Sequence, residues 1–145
     1  MGGDGPGAVV VGVDDSATSL RALDYATGLA RRQGCRLVVV HVRSMRPVGP
    51  ALDVLPVAID AELEARRELL ADLQGEVGRL ARQGDVDVRF LIRVGVPLRE
   101  LAAVADEHRA DVVVVGASTR PAARLAGSVA ARLVRSCGWP MTVVP

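Results

Sequence analysis

The apolar positions of this chain fall into short runs separated by stretches of longer period. Residues 8–13 (AVVVGV), 36–42 (RLVVVHV) and 111–116 (DVVVVG) are nearly continuous in Val and Leu. Such runs predict strands covered on both faces, because a strand with one wet face alternates. Residues 85–94 (DVDVRFLIRV) alternate at first and then turn apolar, which predicts a strand nearer a sheet edge. After Gly138-Trp139-Pro140, MTVVP predicts a final short strand.

Between these runs the period changes. DDSATS (14–19) is rich in helix-capping residue types. Leu20, Leu23, Ala26 and Ala30 then recur at helical spacing as far as Gly34, which predicts a helix burying all four. Residues 43–56 hold Pro47, Gly49, Pro50 and Pro56 and read as a long loop. From Val57 to Gln83, Ile59, Leu63, Leu70, Leu73, Val77 and Leu80 mark the inner face of one long helix, with Glu62 and Arg66 paired on its wet side. Gly75 and Gly78 weaken that helix by about 1 kcal/mol each relative to Ala. A close approach to the sheet is their expected use. Gly95 and Pro97 lead into LRELAAVADEH, a helix with Leu98, Leu101, Ala102 and Ala105 inward. Gly127-Ser128 opens a fourth, which carries Val129, Leu133 and Val134. Strands alternating with helices predict an α/β fold: one domain over residues 1–145, with an open parallel five-stranded sheet and helices on both faces. Residues 1–7 read as a disordered leader.

Composition narrows the chemistry. With one Phe, one Tyr and one Trp, the core has to be built from Val, Leu, Ala and Ile. The 18 basic and 17 acidic residues nearly cancel, which argues against a nucleic-acid surface. Every basic side chain is Arg. Without Lys there is no P-loop lysine, no Schiff-base lysine and no lysine general base. No apolar run approaches the roughly 18–20 residues that span a bilayer, so no membrane association is expected. MGGDGPG lacks the basic start and apolar stretch of a signal peptide, which points to the cytoplasm. Cys35 and Cys137 have no CxxC partner, so two buried free thiols are expected and no metal site.

In an open parallel sheet, ligands bind outside the carboxyl ends of the strands, where strand order reverses. The first and fourth strands are the natural pair here. The first ends Gly12-Val13-Asp14-Asp15 and the fourth Val115-Gly116. A carboxylate such as Asp14 accepts hydrogen bonds from ribose hydroxyls, and Gly116 opposite lets a ligand approach the backbone. Gly127 and Ser128 offer N–H groups and a hydroxyl at a helix start, where the dipole favours phosphate. Plainer roles exist for each. Asp14, Asp15 and Ser16 suit a helix cap, Gly127-Ser128 an N-cap, and Gly116 a turn. His41 reads as a packed strand residue, and His108 as a partner for a helix C-terminus.

These features together resemble the universal stress protein family across nearly the whole chain. VVVGVDDSATSLRAL is similar to that family's first strand, aspartate and Ser-rich helix start; LVVVHV to its second strand; VGVPLRELAAVADEHRADVVVVG to its third helix and fourth strand; and GSVAARLVRSCGWPMTVV to its Gly-Ser helix and last strand. The resemblance implies strand order 3-2-1-4-5, binding of ATP or another adenine nucleotide, with or without Mg²⁺, and a homodimer built through the C-terminal strand 141–144. Its nucleotide signature is Gly-x2-Gly-x9-Gly-[Ser/Thr]. Gly116 and Gly127-Ser128 match the ends, but Thr119 stands where the middle glycine belongs, and the 11 positions from Gly116 to Gly127 are two short. Pro121 removes a further N–H donor.

By this resemblance Gly12, Val13, Asp14, Val42, Val115 and Gly116 hold the nucleoside. Thr119, Gly127 and Ser128 hold the phosphates and Val129 matches the last motif position; apart from the resemblance, Arg120 and Arg124 could each reach a phosphate bidentately, the alternative for both being a solvated surface arginine. No nucleophile with a paired base appears, so at most slow ATP hydrolysis is expected. The competing reading is a dimeric stress-response interaction protein that binds no nucleotide, its phosphate loop being altered.

Overall fold

The computed structural model describes residues 7–14, 16–43, 56–117 and 139–145. In chain order the elements are β1 (Ala8–Gly12), α1 (Ala17–Gln33), β2 (Arg36–Arg43), α2 (Pro56–Arg82), β3 (Val88–Val94), α3 (Pro97–Glu107), β4 (Ala110–Gly116) and β5 (Met141–Val144). The expected fourth helix, residues 44–55 of the expected 43–56 loop, and Cys137 lie outside the described residues; the ends of that loop belong to regular elements instead, Arg43 closing β2 and Pro56 opening α2. The strands form one parallel sheet in the order β3-β2-β1-β4-β5. Strand order therefore reverses between β1 and β4, as the alternation of elements and the family resemblance implied.

The central strands bury both faces, and this is why their sequences do not alternate. Val9 and Val11 pack with Leu37, Val39 and Val114 against α1 and α2. Val10 packs with Val38, Val40, Val113 and Val115 against α3. β3 is an edge strand and begins at Val88 rather than at residue 85. Ahead of it, Asp85 and Asp87 form ion pairs with Arg31 and Arg36, and the Asp87 carbonyl accepts the Leu37 N–H at 2.9 Å.

α1 starts at Ser16, whose Oγ accepts the Ser19 N–H, and stops at Gly34, which sits in the left-handed region at φ 63°. Leu23, Ala26 and Ala30 are buried as expected, but Leu20 is 43% exposed. α2 departs from expectation in two ways. Its 27 residues span about 40 Å against about 23 Å for the 7 residues of β3, so the helix outruns the strand it covers. Residues 60–68 are all exposed, Leu63 among them, whereas Leu73, Val77 and Leu80 are buried. Gly75 and Gly78 do not bring the helix close to the sheet. A Cβ on Gly75 would meet no described atom within 4 Å, and one on Gly78 only the guanidinium of Arg82. Among the described residues no helix is long and apolar enough to cross a membrane.

Candidate functional site

The carboxyl ends of β1 and β4 lie side by side, and the chain leaving β1 is pinned there by short bonds. The Val13 N–H donates to the Val40 carbonyl at 2.8 Å, continuing the ladder one residue past β1. His41 is buried, and its Nδ1 lies 2.9 Å from the Val13 carbonyl oxygen. A carbonyl only accepts, so Nδ1 carries the proton. This is the packed-strand role expected of His41.

Asp14 follows. Its Oδ1 accepts the Ser16 N–H at 2.7 Å, its own N–H donates to Ser19 Oγ at 3.0 Å, and Ser19 Oγ donates back to the Asp14 carbonyl at 2.9 Å. Part of the carboxylate thus shapes the turn into α1, while Ser16 is the N-cap itself. Asp15 lies outside the described residues.

The start of α1 is also tied across to β4. Thr18 Oγ1 donates to the Ala117 carbonyl at 2.9 Å, so the Ser16 hydroxyl, 3.2 Å away, gives its proton to Thr18. The Ala117 N–H in turn donates to the Val144 carbonyl at 2.7 Å. A hydrogen-bonded line thus runs from the β1 exit through the first turn of α1 to the ends of β4 and β5. Gly116 sits beneath it. A Cβ there would lie 2.6 Å from the Thr18 carbonyl carbon and 2.7 Å from the Ser19 nitrogen, so the backbone that approaches this glycine is that of α1.

The remaining nucleoside candidates divide between the two faces. Val13 points toward α1, whereas Gly12, Val42 and Val115 belong to the α3 side. A Cβ on Gly12 would meet the Leu101 methyls at 3.2 and 3.3 Å, so Leu101 lines that position. Thr119, Arg120, Pro121, Arg124, Gly127, Ser128 and Val129, the whole phosphate half of the site, lie outside the described residues. Three neighbours escaped the sequence reading. Thr18 and Ser19 signalled only as capping types, and Leu101 only as a core position.

On the other side of Asp14, a cleft of about 420 Å³ opens between α1 and α2, lined by Asp14, Leu20, Leu23, Asp24, Leu69, Asp72, Leu73 and Glu76. Its carboxylates make it unfit for phosphate. Glu76 is held below the usual carboxylate range by its hydrogen bond to Arg79. Far from this end, burial pushes the Cys35 thiol up, as befits the free, buried cysteine expected. Among the described residues no His, Cys, Asp and Glu cluster could hold a metal ion.

The model of the universal stress protein family matches residues 7–145. A universal stress protein of Mycobacterium tuberculosis is 30% identical over 94% of this chain and 94% of its own length. One from Methanocaldococcus jannaschii is 26% identical over 94% of this chain and 80% of its own. Among solved structures, a universal stress protein in complex with cAMP is 29% identical, covers 96% of each chain and has a TM-score of 0.69. A protein of the same family from Archaeoglobus fulgidus, in complex with dAMP, is 26% identical over 97% of this chain and 98% of its own, with a TM-score of 0.62.

Proposed function

The chain belongs to the universal stress protein family, and from that premise we propose that it is a stress-response module taking up an adenine nucleotide outside β1 and β4. The observation that carries this reading is the reversal of strand order between β1, which leads to Asp14, and β4, which ends at Gly116, in a fold whose solved relatives include complexes with cAMP and dAMP. Val13, Asp14, Val42, Gly12, Val115 and Gly116 surround the adenosine, with Asp14 accepting from the ribose hydroxyls. A carboxylate has about four acceptor positions, so accepting the Ser16 N–H is compatible with that task. Thr119, Arg124, Gly127, Ser128 and Val129 hold the phosphates. Any Mg²⁺ would be brought by the phosphates and would screen their charge. The module holds its nucleotide rather than transforming it, slow ATP hydrolysis at most, and works in the cytoplasm as a single domain over residues 1–145.

Calorimetry with ATP, ADP, AMP, cAMP and dAMP tests this. Because the phosphate loop is two residues short and carries Thr119 for glycine, AMP and ATP should bind within a few-fold of each other. Asp14→Asn retains an Oδ1 for the Ser16 N–H while removing the charge, so it should weaken binding about tenfold, ~1.4 kcal/mol, at unchanged stability. Absence of heat with all five nucleotides sinks the proposal.

A second reading draws on the local bonds. The Asp14 carboxylate has a turn to hold, and α1 fills the space that the missing side chain of Gly116 leaves. Those facts favour a dimeric interaction protein without nucleotide. Both readings share a homodimer through strand 141–144.

A further inference from the structure

The cleft between α1 and α2 has a composition that the described residues do not explain. Leu20 belongs by spacing to the inner stripe of α1, yet it stands 43% exposed where the cleft opens, beside Leu23, Leu69 and Leu73. Around this apolar floor stand four carboxylates, Asp14, Asp24, Asp72 and Glu76, and no basic residue is among the described residues that line the cleft. One guanidinium, Arg79, is paired with Glu76 from outside the lining and also lies near Asp24. Asp14 is engaged in the turn. Among the described residues the negative sign of the cleft therefore rests on Asp24 and Asp72, one on each helix. A nucleotide, a phosphopeptide or an anionic membrane meets like charge here.

Leu69 to Glu76 spans two turns of α2, about 10 Å, and the volume of about 420 Å³ takes two or three side chains, not a whole helix. That is the footprint of anchors at i, i+3 or i+4, and i+7 on a docked helix. We propose that this cleft is the docking groove for a basic amphipathic helix of a partner protein. Leucine-type anchors of the partner sit on Leu20 and Leu69, above the buried Leu23 and Leu73, and its lysines or arginines face Asp24 and Asp72. This groove uses none of the phosphate candidates and shares only Asp14 with the proposed nucleotide site, so the inference does not rest on nucleotide binding.

The test is fluorescence anisotropy of the full chain with a short labelled peptide of leucine and lysine, leucines at i, i+3, i+4 and i+7, and a control in which every lysine is glutamate. The lysine peptide should bind and the glutamate peptide should not. Binding should weaken as salt is raised, because exposed charge pairs are screened beyond about 10 Å at 0.1 M. Asp24→Asn with Asp72→Asn should cost about tenfold and flatten the salt dependence. Leu20→Ser should also cost about tenfold by removing an apolar anchor surface. All three side chains are exposed or line the open cleft, so these variants should keep the wild-type melting temperature. Equal binding of both peptides, or wild-type affinity in both variants, overturns the proposal. So does a dimer in sedimentation that dissociates on Asp24→Asn with Asp72→Asn, since the occupant would then be a second copy of this chain.

Discussion

An alanine at position 116 would put its Cβ 2.6–2.7 Å from the backbone of Thr18 and Ser19, atoms held in place by the cap and by the Thr18 bond to Ala117. At Gly12 the opposing atoms are the methyls of one leucine, at 3.2 and 3.3 Å, which can rotate aside. Gly116→Ala should therefore lower stability by about 1–3 kcal/mol, and Gly12→Ala by less than about 1 kcal/mol, in urea unfolding. A Gly116→Ala protein with an unchanged midpoint would mean that α1 does not rest on that glycine. The contrast also marks a limit of residue patterns. That position 116 needs a small residue was legible from a glycine closing a valine run. What comes close to it was not, because a ligand and a helix backbone ask for the same missing side chain. Asp14 is the same case: a carboxylate ahead of Ser-x-Thr-Ser serves a turn or a ribose equally well, and only the 2.7 Å bond to Ser16 displays the first role.

At the scale of elements, what the pattern conveyed best was what continuous burial dictates. β1, β2 and β4 read directly from runs of valine, since a strand between two helical layers has no wet face to break the run. Helix periodicity conveyed a direction but not a distance. Leu20 and Leu63 keep in phase with buried neighbours, yet both stand open, because a stripe in sequence cannot show where the sheet beneath it stops. The same blindness hid the acidic cleft. Asp24 and Asp72 lie on separate helices, and nothing local joins them. The glycines of α2 yield a direct test. With no described atom within 4 Å of a Cβ on Gly75, Gly75→Ala should stabilise the protein by up to about 1 kcal/mol through helix propensity alone. A loss of stability in thermal unfolding would mean that this face of α2 is covered after all.

For the whole molecule, the open sheet leaves two edges, and they are unequally guarded. β3 carries Arg89 and Arg93, which pair with Asp87 and Glu107, so a strand approaching this edge meets charge on one face of the sheet. β5 is MTVV, without a charge, and its Val143 is 44% exposed. An uncharged edge invites pairing, and charged side chains on a strand discourage it. Self-association of this chain should therefore run through β5, where two copies related by a two-fold axis would place residues 141–144 against each other. Sedimentation should report a dimer for the native chain and a monomer for Val143→Arg, which sets two guanidinium groups close together across the axis. Arg89→Val, which strips charge from the other edge, should leave the dimer as it is. A native chain that sediments as a monomer, or a Val143→Arg protein that stays dimeric, would exclude β5 as the interface.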